Sequence, residues 1–202
     1  MLVHLESKHQ RRDNKSTYCN NDSIISTRDN RGYIYEYIEN NPGVYLRKIV
    51  KDLRLPMGLV QYHLDILQRE GLIRSVKLGM YKHHYSIAIN DERLEVVLAV
   101  LIHKTARDIL VYLIEKPGAT QTDIAKFKQV SAPTISWHMS RLTSVGIIFT
   151  MREGKNIKFY IVDVGYLIDV LQNYYPEVWK SMASKLIEMF VRASSGSRKR
   201  TW

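Results

Sequence analysis

A mainly α-helical fold with small β hairpins, assembled twice in tandem, is what this sequence predicts. Three observations predict it. The chain matches itself without gaps at a fixed offset. Each copy holds three stretches of helical apolar spacing followed by two strand-like runs around a glycine. Further helical segments lie between the copies and after the second. Together these give an α+β class in which strands are a minor part.

The offset is 75 residues, the separation of His63 and His138. At that offset Tyr37 falls on Tyr112, Pro42 on Pro117, Gly43 on Gly118, Ile49 on Ile124 and Lys51 on Lys126. Leu67, Gly71, Ile73, Gly79 and Tyr85 meet their own residue types at Leu142, Gly146, Ile148, Gly154 and Tyr160. Apolar residues, glycines and prolines in register together mark one structural unit used twice, over 30–90 and 105–164. Around these lie a polar, aperiodic segment 1–29, expected to be disordered, and a connecting helix over 91–104. A helical segment over 165–193 and a basic tail over 194–202 complete the chain.

The first copy opens with Tyr33 to Ile38 at helical spacing and stops at Asn41-Pro42-Gly43. Tyr45 to Leu53 forms a second helix with Leu46, Ile49, Val50 and Leu53 facing inward. A tight connection through Leu55-Pro56 leads to a third helix, striped by Val60, Leu64 and Leu67 and ended by Gly71. Leu72 to Lys77 and Tyr81 to Ile89 read as strands around Gly79. In the second copy Ala106 to Glu115 is a helix, with Thr105 as its expected cap and Asp108 as the acidic partner. Thr122 to Phe127 follows. Ser131 is the expected cap of a third helix striped by Ile135, Met139 and Leu142, with Pro133 in its first turn. Ile147 to Arg152 and Ile157 to Val162 form the hairpin around Gly154.

Composition narrows the function. Lysine and arginine number 30 against 20 acids, a net charge of +10. That excess favours a polyanionic partner, nucleic acid or an anionic membrane surface. The longest apolar run, Val96 to Ile102, is far short of the roughly 20 residues of a membrane span. The start of the chain lacks the apolar run of a signal peptide. One cysteine, Cys19, permits neither an intramolecular disulfide nor a cysteine metal cluster, which suits a reducing cytosol. No phosphate loop, nucleophile motif or metal-ligand spacing occurs, so neither enzyme activity nor a cofactor is expected.

Three helices followed by a two-stranded hairpin describe a winged helix-turn-helix. In that geometry the third helix enters the DNA major groove and the hairpin, or wing, reaches neighbouring phosphates. Candidate DNA contacts follow from the positions off the core stripe. On the third helix of the first copy they are Gln61, suited to adenine, with Tyr62, His63 and Arg69. In the second copy they are Thr134, Ser136, Trp137, His138, Ser140 and Arg141, the last suited to guanine or phosphate. Wing cations are Lys77 and Lys82, joined by Arg74, His83 and His84, and then Arg152, Lys155 and Lys158. The second helices add Arg47, Lys48, Lys51, Arg54, Lys126 and Lys128. For His63 and His138 the rival reading is a half-buried imidazole bonded to a carbonyl. For Tyr62 and Trp137 it is a cover over the helix–wing junction.

The stretch from Leu55 to Ile73, centred on Val60-Gln61-Tyr62-His63-Leu64, resembles the recognition helix of ArsR/MarR-like winged-helix regulators. So does Ser131 to Leu142, centred on Ile135-Ser136-Trp137-His138-Met139. The tandem layout is similar to archaeal double winged-helix regulators of that group. The resemblance spans roughly residues 30–164. It implies sequence-specific binding of double-stranded DNA and transcriptional regulation in the cytoplasm, at the nucleoid, often as a homodimer. The chain departs from metal-sensing members in having no paired cysteines. The apolar positions Trp179, Met182, Leu186 and Phe190 share one helical face, which is expected to mediate that dimer. The alternative function is a winged-helix protein-interaction module in a transcription or chromosome-organising complex. Asp65 and Glu70, beside the single cation Arg69, favour it.

Overall fold

A computed structural model describes residues 27–196. Of the segment 1–29 expected to be disordered, residues 1–26 lie outside the described residues and 27–29 are instead the first turn of a helix; the end of the basic tail also lies outside the described residues. The first unit runs α1 (Thr27–Asn40), β1 (Val44–Tyr45), α2 (Leu46–Leu53), α3 (Met57–Arg69), β2 (Ile73–Leu78) and β3 (Tyr81–Ser86). The second repeats it as α5 (Lys104–Glu115), β4 (Ala119–Thr120), α6 (Gln121–Lys128), α7 (Ala132–Ser144), β5 (Ile148–Glu153) and β6 (Asn156–Ile161). Between them lies α4 (Glu92–Leu101). After them come α8 (Val164–Tyr174) and α9 (Pro176–Gly196).

The inward stripes form the elements as their spacing demands. Ile34 and Ile38 on α1, Ile49 on α2, and Val60, Leu64 and Leu67 on α3 bury together with Val44 and Ile73. On α7 the stripe Ile135, Met139 and Leu142 is buried likewise. Gly71 takes φ +70 after α3. It lets the Leu72 N–H reach back to the Leu67 carbonyl at 3.0 Å, and the Ile147 N–H makes the same bond to Leu142 at 3.1 Å. The two connections between second and third helices are also alike: Arg54 and Gln129 both sit in the left-handed region, at φ 56 and φ 54. The repeat thus extends to a strained backbone position that residue identity conceals.

Each wing is three-stranded. β1 joins β3 through Val44↔His84, and β4 joins β6 through Ala119↔Phe159, giving orders β1-β3-β2 and β4-β6-β5. Two-residue strands carry no readable alternation, so neither β1 nor β4 was expected. Other local expectations are corrected. α1 starts at Thr27, six residues before Tyr33. α5 starts at Lys104 with His103 at its cap and no side-chain capping bond. Asp108 instead accepts from Lys104 at 2.9 Å and from Lys128 at 2.6 Å. A reciprocal capping box forms at Thr120 and Asp123, at the start of α6. The Ser131 hydroxyl meets that of Thr134 at 2.9 Å and caps no backbone N–H.

The largest difference concerns α4. Val97 to Ile102 are all buried. Val97, Leu98, Val100 and Leu101 join the core of the second unit, together with Tyr85 from the first, while Ile102 packs in the core of the first. A helix apolar on most sides is a core element, since only burial satisfies such a surface. Tyr85 donates its hydroxyl to the Glu95 carbonyl at 2.8 Å, and the buried Glu95 carboxylate pairs with Arg74. Asp91 caps α4 through the N–H groups of Arg93 and Leu94. α4 therefore binds the two units into one body.

Candidate nucleic-acid interface

The scaffold fixes both third helices by their inner stripes and leaves the outer residues free. On α3, Gln61, Tyr62 and Arg69 are exposed, Tyr62 at 57%. Asp65 is exposed beside them, and Glu70 accepts from Arg31 at 2.7 Å. Gln68 turns to the wing, where its side-chain oxygen accepts from Ser75 at 3.0 Å and Lys82 at 3.3 Å. That bond anchors the hairpin to the helix.

His63 is elsewhere. It is 2% exposed, and neither ring nitrogen has a hydrogen-bond partner among the described residues. Burial, and then the charge of Arg31, holds its pKa below the ordinary value, which favours the neutral ring. Both ring nitrogens are buried away from solvent, so the ring sits in the packing, with the Tyr62 ring edge-on at 5.2 Å. His138 repeats the arrangement against Trp137 at 4.8 Å. It is half-buried, and its pKa is lowered by burial, then by Arg141 and Lys128.

On α7, Thr134, Ser136, Trp137 and Ser140 are exposed and Arg141 is half-buried. The helix has two outward sides. Thr134 and Ser136 are exposed outside the space between the units. Trp137, Ser140, Arg141 and Ser144 instead line a cleft of about 380 Å³ whose opposite walls are α4 and the tip of the first wing. The Arg141 guanidinium lies 5.7 Å from the centre of the Trp137 ring. The second recognition helix thus faces the first unit with one of its sides.

The wing cations divide. Lys77 and Lys82 stand directly opposite each other in the β2–β3 register, both exposed. Like charges across a pair of strands repel, so the arrangement is improved by any anion that reaches both. Arg152 and Lys155 are exposed at the second wing, with no ion pair among the described residues. Lys158 is half-buried and donates to Glu153 at 2.5 Å, so its charge is largely balanced within the wing.

His83 and His84 are not wing cations. The period of two that carries Lys82 outward carries neither histidine, because β3 is the central strand and is covered on both faces. His83 is buried with its Nδ1 2.6 Å from the Gly43 carbonyl, and His84 is buried 3.0 Å from the Ser75 hydroxyl. Burial pushes the His84 pKa down to about 4 and lowers that of His83. Arg74 is committed to Glu95, and Lys48 and Lys128 to Asp52 and Asp108. The second helices keep Arg47, Lys51, Arg54 and Lys126 exposed.

Residues that sequence spacing passed over also shape this surface. Met80 is 92% exposed at the first wing tip, and Phe149, Met151 and Ile157 are exposed on the second wing. A stack of Tyr45 on His103, 5.5 Å apart, closes the seam between the units. No helix among the described residues is long and apolar enough to cross a membrane.

Two family models match segments of this chain. Residues 28–95 match a family described as an N-terminal HTH domain, and residues 102–148 match the family Winged helix-turn-helix DNA-binding. A protein of Methanocaldococcus jannaschii named "Uncharacterized HTH-type transcriptional regulator MJ1398" is 35% identical over 133 residues, 66% of this chain. The chain spans 33% of that relative's length. Among solved structures, reduced HlyU from Vibrio cholerae shares 16% identity at a TM-score of 0.37, covering 41% of this chain and 88% of its own. An ArsR-like transcriptional regulator from Rhodococcus shares 18% at 0.33, covering 54% and 92%. The S. aureus MepR–DNA complex shares 20% at 0.35, covering 53% and 86%. The two matched segments overlap the two structural repeats, so the chain carries two helix-turn-helix domains in tandem, the second similar to the winged helix-turn-helix DNA-binding family.

Proposed function

We propose that this chain regulates transcription by binding specific sites on double-stranded DNA, without catalysing a reaction, in the cytoplasm and at the nucleoid. The observation that carries the reading is the pairing, in each unit, of an exposed third helix with exposed cations on the adjacent wing. Gln61 and Tyr62 on α3 stand with Lys77 and Lys82, and Thr134 and Ser136 on α7 with Arg152 and Lys155. A side chain such as Gln61 offers a bidentate match to adenine, while the wing cations supply the sequence-independent attraction to phosphate. The units at 30–90 and 105–164 are the DNA-binding modules in this proposal, 91–104 couples them, and 165–193 serves self-association. A homodimer presents up to four recognition helices to a two-fold site.

The test is titration of fluorescent duplex DNA across a salt series, followed by selection of bound sequences from random duplexes. Logarithmic affinity should fall linearly with logarithmic salt, by about 0.9 for each phosphate neutralised. Affinity that ignores salt overturns the reading. Exposed Asp65 on α3 favours the second reading, a protein-interaction module. That reading expects salt-tolerant capture of transcription proteins and no shift of duplex DNA.

A further inference from the structure

The cleft between the units has the form of a small-molecule site. Its floor is α4, through Val96, Ala99 and Val100. One wall is the first wing tip, with Leu78, Met80 and Tyr81, and the other is the Trp137 side of α7. Its volume of about 380 Å³ falls within the usual range of ligand pockets, about 300–1,000 Å³. Mostly apolar walls with one charged group suit a ligand with an apolar body and one charged end.

The charged group is Arg141, and its surroundings determine the partner it seeks. Among the described residues it has no carboxylate partner, and the cleft lining includes no acid. Three imidazoles lie within reach of the Arg141 charge. His83, His103 and His138 are all buried or half-buried, and the positive charge of Arg141 is among the causes holding each toward its neutral form. Trp137 receives one side of the guanidinium. A half-buried guanidinium beside apolar walls, with no anion provided by the protein, favours an anion from outside.

We infer that the cleft between α4, the first wing tip and α7 binds an amphipathic organic anion, an apolar ring or short chain carrying one acidic group, with that group on Arg141. The apolar body lies against Val96, Val100 and Trp137, and the acid meets the guanidinium at the α7 wall. Because Trp137, Ser140 and Arg141 also belong to the recognition helix, occupancy opposes entry of α7 into a major groove. The binding site stands on the cleft alone, whereas this consequence rests on the proposed DNA-binding function.

The test uses the intact chain and anilinonaphthalene sulfonate, a fluorescent apolar anion, without DNA. One-to-one binding is expected, weakened about tenfold or more by Arg141→Met and largely restored by Arg141→Lys. Phenylnaphthylamine, the same body without the sulfonate, should bind the wild type about tenfold more weakly. Ser144→Trp, which fills the cleft from an exposed position, should abolish binding of both probes while circular dichroism stays unchanged. Undiminished binding in Ser144→Trp overturns the site, and equal affinity for the two probes overturns its anion preference. Saturating sulfonate should then weaken duplex binding by the wild type and leave that of Ser144→Trp unmoved. Probe binding without any effect on duplex affinity overturns the regulatory consequence. A chain that binds the probe but never binds DNA retains the site and refutes the DNA reading instead.

Discussion

Gly43 lies against the backbone of Ala99: a β-carbon on Gly43 would stand 3.0 Å from the Ala99 nitrogen and 3.0 Å from the Leu98 carbonyl carbon. Gly43 also takes φ +84, in the left-handed region where an L side chain is strained. The turn after α1 is thus the seat on which α4 docks. Gly43→Ala combines strain with a collision against backbone that cannot swing away, and should cost about 2 kcal/mol or more. Gly71→Ala offers the comparison, since it has similar φ with nothing within 4 Å of the added carbon. It should cost only about 1 kcal/mol, from strain alone. Urea denaturation of both variants decides, and equal losses would refute the seat.

That contact also marks how far the sequence can be read. The offset pairing Gly43 with Gly118 and Tyr85 with Tyr160 made both units legible, because a repeat constrains core, turns and hairpins together. It could not show that the matched pairs diverge. Tyr85 is buried and bonded to Glu95, whereas Tyr160 reaches Glu153 at 3.3 Å at the surface. The difference arises from α4, which covers Tyr85 on the first wing, whereas α8, at the corresponding place after the second wing, leaves Tyr160 outside the core. The apolar run of α4 lacks a polar face, so it reads as a short connection rather than a shared core. Exposure was legible at Gln61, Tyr62, Thr134, Ser136, Lys155 and Arg152, where helix period or turn position dictates it. It was misread at His63, His83, His84 and Lys158, where a neighbouring strand, helix or carboxylate determines the charge.

The two wings give a test of charge that is free against charge that is paired. Lys155→Ala and Arg152→Ala should each weaken duplex binding and lower the salt slope by about 0.9. Lys158→Ala should change the slope much less, because Glu153 already balances it. Fluorescence anisotropy over a salt series measures all three, and an equal slope change for Lys158→Ala would show that its ion pair opens on DNA.

Base reading separates from phosphate binding on the first unit. Gln61→Ala should reduce the preference for a selected site over random duplex by about 1–3 kcal/mol. Lys51→Ala, from the exposed side of α2, should weaken both about equally. Competition binding with the two duplexes measures the difference. Equal losses from Gln61→Ala would place Gln61 on the backbone.

Acid should destabilise the fold well above the range where carboxylates titrate. Burial, with the charges of Lys82 and His83, pushes His84 down to about 4; burial, with Arg141 and His83, does the same to His103. Both lie below the ordinary imidazole value of 6.5. The unfolded chain therefore binds more protons than the folded one between these limits. Stability is full above pH 6.5 and falls as pH drops toward 4, by about 2 kcal/mol per histidine at pH 5. Asp108 and Asp123, held low by Lys128 and Thr120 against the opposing effect of burial, lose their contribution only at lower pH. Denaturation at pH 7.5 and 5 should show the loss, and His84→Asn should reduce it. A flat profile would mean that the two imidazoles are reached by water.

The proposed self-association rests on α9. The stripe Trp179, Met182, Leu186 and Phe190 was expected to face a second copy along its whole length. Its first half does not: Met182 is buried and Trp179 is packed against the chain's own core, with Val178 beside it. The side chains of Leu186 and Phe190 lie outside the described residues. Beyond Met182, Ile187 is 65% exposed. A helix of 21 residues is about 30 Å long, so its outer half can reach past the body that holds its start. Pairing of that half about a two-fold axis would remove Ile187 from water. The full chain should then sediment as a dimer at micromolar concentration and Ile187→Glu as a monomer, with both keeping the same helical content. Substitution at Ile187 avoids the half-buried Trp179 and the buried Met182, which truncation after Tyr175 would strip from the core. A wild-type monomer would discard the dimer, and a persistent dimer in Ile187→Glu would move the contact to another surface, with the exposed Phe149, Met151 and Ile157 of the second wing the first to substitute.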